Sequence, residues 1–302
     1  TAANWFHLRS TLPFQSASHA ASAPTRRFLN RYLTARGVTT RFLPAETDAE
    51  AVLAAVTDRT RLVLMESPAS LTFEMIDVAA VAHGCRQRGV ISMLDNTWAA
   101  ALAFKPLTHG VDVSVQALTK YAAGHSDLLM GGICVSDPTL GRRIGDAIED
   151  MGWHVSPDDA WLALRGLRTL PLRYAEQARS ALVVARWLEA RPEVSRVLYP
   201  PLPNDPRHAL WARDFIGGAS LMGVVMKGGD TASARAFMDR LTLFGMGYSW
   251  GGFESLITHE THQMAYRDHP PALEGELLRL HVGLEDPADL IADLKTGLTA
   301  FG

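Results

Sequence analysis

Asp95 closes the apolar run 90–94, and Lys120 follows the run 111–118. The first reads as a buried strand of a parallel sheet, and the second, rich in valine, reads as the next strand. In an open α/β sheet, ligands bind at the carboxyl ends of such strands. The 25 residues that separate the pair allow one crossover between neighbouring strands. An amine and a carboxylate side by side on that edge suit pyridoxal 5'-phosphate: the lysine forms a Schiff base with its aldehyde. The carboxylate keeps the ring nitrogen protonated, so that the ring draws electrons from a substrate carbanion. Spacing alone leaves a structural ion pair or two solvated loop charges equally open. A second cation, Arg279, interrupts the apolar stretch 277–282. A charge there is costly unless it meets an anion, either a substrate carboxylate or a structural partner.

The elements that must position these residues alternate. A helix is expected over 25–36 with Gly37 as its stop, then a β-branched strand over 39–43 and a helix over 48–56. A buried strand follows at 61–65, ended by Pro68. Next come a helix over 78–88, capped by Asp77 and stopped by Gly89, and the two strands that lead to Asp95 and Lys120. Units of this length predict an α/β fold, a mainly parallel sheet with helices on both faces. Beyond residue 155 the pattern changes. Helices are expected over 158–170 and 171–190, strands over 218–226, 242–248 and 277–282, and a helix from Asp286 with Pro287 in its first turn. Two domains are therefore expected: a cofactor-binding α/β domain over 1–155, N-terminally incomplete, and a smaller α+β domain over 156–302. A length of 302 residues agrees with two.

Composition narrows the partners. The chain is 47% apolar and 20% charged with a formal net charge of −3, ordinary for a folded protein and without a basic field for nucleic acid. No apolar run is long enough to span a bilayer. Cys85 and Cys134 fit no zinc or redox spacing and read as buried small hydrophobes in a reducing, cytoplasmic setting. Residues 1–23 lack the basic and apolar regions of a signal peptide.

The wording around the pair is more specific. Leu94-Asp95-Asn96-Thr97-Trp98-Ala99-Ala100, Thr119-Lys120-Tyr121 and Gly124-His125-Ser126-Asp127 occur in that order. Glu66-Ser67-Pro68, Arg165-Gly166-Leu167-Arg168-Thr169-Leu170, Tyr248-Ser249-Trp250-Gly251-Gly252 and Leu278-Arg279-Leu280-His281-Val282-Gly283 join them. From about residue 24 to the end, the chain resembles the Cys/Met-metabolism branch of fold-type-I pyridoxal-phosphate enzymes. Within that branch, Trp98 and Ser249-Trp250 resemble the wording of bacterial cystathionine β-lyases.

The resemblance implies an aminotransferase-like fold and a homo-oligomer, dimer or tetramer. It implies β-elimination of a sulfur amino acid: cystathionine to homocysteine, pyruvate and ammonia, a step of methionine biosynthesis. A γ-lyase or cysteine desulfhydrase of the same branch is the alternative. Lys120 would hold the cofactor and take the substrate α-proton, Asp95 would face the ring nitrogen and Thr119 the phosphate. Arg279 would clamp the substrate carboxylate, with Ser249 and Trp250 lining the pocket. Family members carry phosphate-binding residues ahead of the position of Pro24, and residues 1–23 do not read like them. Ser22 stands where the family has a ring-stacking tyrosine, and Ala117 where it often has serine. Thr119 and Ser114 are then the phosphate donors left, so a weakly held cofactor and reduced activity are expected.

Other chemistries compete. Gly247-Tyr248-Ser249-Trp250-Gly251 fits the nucleophile elbow of a serine hydrolase, with Asp268 and His281 following in hydrolase order. An elbow needs a helix directly after the serine, which Gly251-Gly252 disfavours. His259-Glu260-Thr261-His262 lacks the spacing and third ligand of a zinc site, so no metal is expected. A non-catalytic remnant of an enzyme is the remaining reading.

Overall fold

The computed structural model describes residues 15–19, as backbone, and 21–301. Its first sheet has six strands: β1 (Gln15–His19), β2 (Thr39–Leu43), β3 (Thr60–Glu66), β4 (Ile91–Asp95), β5 (Val113–Ala117) and β6 (Gly131–Val135). Their order is β2-β1-β3-β4-β5-β6. The first five are parallel, and β6 closes the edge antiparallel to β5. The continuous apolar run of β3 has its reason here. Leu62 and Leu64 pack on one face with Leu29, Leu33, Leu140 and Ile144, while Val63 and Met65 join a core on the other face with Val81, Leu94 and Trp98. A strand buried on both sides has no polar face to show.

The helices of this half are α1 (Ala23–Arg27), α2 (Ala49–Ala54), α3 (Val78–Gln87) and α4 (Pro138–Asp150). Asp48, Asp77 and Asp137 cap the last three, each accepting a backbone N–H from the first turn. α1 runs on through a π-helical segment (Phe28–Leu33) and a 3-10 turn to Gly37, which stops it in the left-handed region at φ 78°. β1 is a correction, because residues 1–23 predict no strand. A parallel strand signals itself through apolar side chains, and Gln-Ser-Ala-Ser-His supplies almost none. The sequence expectation for residues 1–14 lies outside the described residues.

α5 (Pro157–Glu189) is one helix of 33 residues, where two segments were expected to break at Pro171. Pro171 is exposed, so water can take the carbonyl that loses its donor and the helix continues. The second sheet contains β7 (Val194–Leu198), β8 (Leu221–Met226), β9 (Gly245–Met246), β10 (Leu256–His259) and β11 (Leu277–His281), in the order β7-β8-β11-β10-β9. Only β9 and β10 pair in parallel. α6 (His208–Asp214), α7 (Thr231–Asp239), α8 (Thr261–Met264) and α9 (Pro287–Leu298) complete this half. The strand expected over 242–248 shrinks to two residues. Asp293 of α9 accepts the N–H groups of Thr242, Leu243 and Phe244, which a ladder would otherwise have used. Cys85 is buried as expected, but Cys134 on the edge strand β6 is exposed.

Candidate active site

β4 and β5 are neighbours, so the crossover inferred from the spacing is present. Asp95 is the last residue of β4, and Lys120 sits three residues beyond β5 in the following turn. Two hydrogen bonds from Thr97 fix Asp95 Oδ1: the backbone N–H at 3.0 Å and the hydroxyl at 2.5 Å. The Thr97 hydroxyl also accepts the Ala117 N–H at 2.9 Å, which ties the ends of β4 and β5 together. Lys120 Nζ donates to Ser249 Oγ at 3.0 Å and lies 5.2 Å from the centre of the Trp250 ring. Burial, and then the Arg279 guanidinium, pull the Lys120 pKa down to about 8, while Asp95 pulls it up. The amine and the carboxylate are therefore near enough to couple electrostatically.

Glu66 ends β3 directly beside Asp95 in the parallel register. It accepts the Ser22 N–H at 2.8 Å and a hydrogen bond from Ser70. Burial and the neighbouring Asp95 raise Glu66 to about 8, and burial also raises Asp95. Two carboxylates on adjacent strand ends resist ionising together. The rule that picks out Asp95, a carboxylate at the carboxyl end of a buried strand, picks out Glu66 equally. It was missed as a site residue because it had no amine partner in the sequence.

Arg279 comes from the middle of β11 in the second sheet. Its Nη2 donates to the Tyr248 carbonyl at 2.8 Å, and its Nη1 is 3.5 Å from Glu260. Glu260 is itself buried and accepts from Thr258 and Gln263. This arrangement aims the fork and leaves it a short reach from Lys120, whose pKa it lowers. Thr119 lies in the same turn, directly before Lys120. Its hydroxyl accepts the Met130 N–H at 2.9 Å and donates to the Met130 carbonyl at 3.3 Å, and so bridges the turn. Ser114 is buried within β5.

Gly251 explains how the two halves come so close. At φ +82° its Cα packs on the Lys120 turn, and a Cβ would fall 2.6 Å from Tyr121 N and 2.8 Å from the Lys120 carbonyl carbon. Only glycine fits that approach. Arg173, which sequence reasoning also missed, braces the same turn from α5. Its buried guanidinium donates to the carbonyls of Tyr121, Ala122 and Gly166. A helical arginine just past the 165–170 motif carries no sequence signal for this role.

The rival constellations are not assembled. Ser249 has Lys120 as its partner, Asp268 pairs with Arg26, and His281 bonds Ser220; no helix follows Ser249. His259 pairs with Glu276, while Glu260 faces Arg279. Trp98 belongs to the core, with its indole N–H on the Leu221 carbonyl at 3.1 Å. Among the described residues no helix is long and apolar enough to cross a membrane.

A mainly parallel sheet with an amine, two carboxylates and a guanidinium gathered at its carboxyl edge is the frame of an α/β enzyme that works through a lysine. The chain belongs to the Cys/Met metabolism PLP-dependent enzyme family, which matches residues 17–299. The match reaches seven residues further towards the N-terminus than position 24, where the motif resemblance begins, and it takes in part of β1. A cystathionine beta-lyase of Bordetella avium is 44% identical over 92% of this chain and 69% of its own length. Cystathionine beta-lyase MetC of Escherichia coli is 40% identical over 93% of this chain and 72% of its own length. The crystal structure of metB from Corynebacterium glutamicum superposes with a TM-score of 0.90 at 31% identity, covering 96% of this chain and 75% of that one. The fold is thus α/β of fold type I, and pyridoxal phosphate is the cofactor. The residues present fit it: a lysine whose pKa is lowered to about 8, a carboxylate electrostatically coupled to it, and a glycine that lets the loop carrying Ser249 pack on the lysine turn.

Proposed function

We propose that this chain is a carbon–sulfur lyase that cleaves cystathionine to homocysteine, pyruvate and ammonia. The observation that carries the reading is the setting of Lys120: an amine near neutrality, 3.0 Å from Ser249, facing Trp250 and electrostatically coupled to Asp95 and Arg279. When bound, the cofactor supplies an electron-poor ring that stabilises charge at the substrate α-carbon.

The residues of the chain do the rest. Lys120 Nζ would hold the cofactor and, as a free amine, would take the substrate α-proton, a task for which a pKa near the working pH is best. Asp95 would supply the negative charge for the ring nitrogen, and Thr97 fixes its direction. Arg279 presents its planar fork to the substrate carboxylate, which sets the α-carbon against Nζ. Ser249 holds the amine at rest, and Trp250 walls the thioether side. Thr119 reaches the phosphate by turning its hydroxyl from Met130. In the balanced reaction the Cα–H and Cβ–S bonds break, and homocysteine leaves with the sulfur electron pair and a proton. Water converts the remaining three carbons to pyruvate and ammonia.

This reading also assigns residues 1–155 to cofactor binding and 156–302 to closing the substrate side. It includes a cytoplasmic location, supported by two unpaired cysteines among the described residues. It includes a homo-oligomer, supported by Trp161, Leu164 and Leu172, exposed along one face of α5. Pyruvate release from cystathionine by the cofactor-loaded protein tests the reading. Lys120→Ala abolishes the release; release that survives this change refutes it.

A further inference from the structure

We propose that His281 is a positioning residue for this site, tying the turn that carries Lys120 to the loop that carries Ser249 and Trp250. The proposal rests on the lyase reading for its kinetic consequence and on geometry alone for the tie itself. His281 ends β11 two residues after Arg279, so both side chains leave the same face of the strand. It is buried, with Tyr121 packed edge-on 6.2 Å away between ring centres, and Tyr121 is in turn edge-on to Trp250 at 5.4 Å.

A chain of hydrogen bonds runs through the imidazole. Tyr121 Oη accepts the Ser220 N–H at 2.9 Å and lies 2.9 Å from Ser220 Oγ. Ser220 Oγ is 2.8 Å from His281 Nδ1, and His281 Nε2 is 3.2 Å from the Gly252 carbonyl. One direction gives every side-chain proton of this chain an acceptor: Tyr121 O–H to Ser220, Ser220 O–H to Nδ1, and Nε2–H to Gly252. The reverse direction strands the tyrosine proton, because Ser220 would then be donating to Tyr121. Neutral imidazole with Nε2 protonated is therefore the assigned form. Burial, and next to it the cations Arg279 and Lys120, push the His281 pKa down to about 4, so the direction holds at neutral pH. Gln177 donates to the same Gly252 carbonyl, and the N–H of Gly251, 3.1 Å from Nε2 and 3.4 Å from Nδ1, lies over the face of the ring and leaves the Nε2 proton free for Gly252.

The chain thus begins at the residue after Lys120 and ends at the residues after Trp250. Gly251 already touches the Lys120 backbone, so the two segments are clamped at two points, one steric and one hydrogen-bonded. Loss of the second point lets the Lys120–Ser249–Trp250 geometry drift without removing any group that meets substrate.

His281→Phe keeps a ring in place and deletes both nitrogens. Ser220→Ala breaks the chain at its middle with little change in volume, and decides the matter if the phenylalanine variant does not fold. In the cofactor-free protein, amide exchange is expected to quicken roughly tenfold both at 120–124 and at 249–253. In the cofactor-loaded protein, kcat for cystathionine is expected to fall about 100-fold with KM within about threefold. Exchange that quickens on one segment only, or on neither, overturns the tie. Exchange that quickens on both with kcat unchanged overturns the positioning role. If the unmutated protein releases no pyruvate, the lyase reading fails, and the exchange result still decides the tie.

Discussion

At pH 8 about half of the Lys120 side chains should be uncharged, because burial and Arg279 bring the pKa to about 8. A lysine at the ordinary 10.5 would be only about 0.3% neutral at that pH, so the pocket raises the supply of free amine roughly 150-fold. The perturbation that isolates the cause is Arg279→Gln, which removes the charge and keeps a donor for Glu260. Without that cation the Lys120 pKa must rise, and the neutral fraction at pH 8 must fall. Asp95→Asn must act in the opposite sense, since the carboxylate favours the ammonium. The assay is the rate at which cofactor-free protein captures pyridoxal phosphate, followed by visible absorbance and trapped by borohydride, between about pH 6.5 and 10. Lys120→Ala is the blank. A midpoint near 8 that moves up in Arg279→Gln and down in Asp95→Asn is expected. A midpoint near 10.5, or one indifferent to Arg279, refutes the electrostatic account of this amine.

Glu66 gives a pH effect of known sign. Its pKa is raised on folding, so the native state holds a proton that the unfolded chain releases, and stability is lost as pH climbs from about 4.5 to about 8. Glu66→Gln should remove that loss, so the melting temperature of the variant relative to the parent rises across this window; a flat difference contradicts it. Arg279→Lys should raise the KM for cystathionine roughly 30- to 100-fold with little change in kcat, because an ammonium cannot make the two-point grip of a guanidinium; steady-state kinetics decide this. Gly251→Ala combines a left-handed backbone with a Cβ 2.6 Å from Tyr121 N, and should destabilise by about 2–3 kcal/mol in urea unfolding. Trp161→Glu with Leu164→Glu should yield a smaller species in light scattering, and an unchanged mass would exclude that face of α5 as the subunit contact.

The site was legible wherever one short segment carried both a structural and a chemical signal. Asp95 and Lys120 each follow a β-branched or apolar run, and the physics of parallel sheets puts such residues on the ligand edge. Arg279 stood out because a cation inside an apolar strand needs an anion. β1 was hidden because a mostly polar segment, Gln-Ser-Ala-Ser-His, can pair between β2 and β3 when those neighbours on both sides supply the ladder. The single long α5 was hidden because Pro171 breaks a helix only where its lost bond is buried. Arg173, Ser220 and His281 act through contacts between residues 50 to 100 positions apart, which no local pattern encodes. The Thr119 hydroxyl contacts to the Met130 backbone, eleven positions on, carry no local signal either.

The central claim is that this edge breaks the bond between the β-carbon and sulfur. Cofactor-loaded protein given cystathionine should release homocysteine and pyruvate in equal amounts. Cysteine and 2-oxobutyrate in their place would mean cleavage on the other side of the sulfur, and would contradict the account.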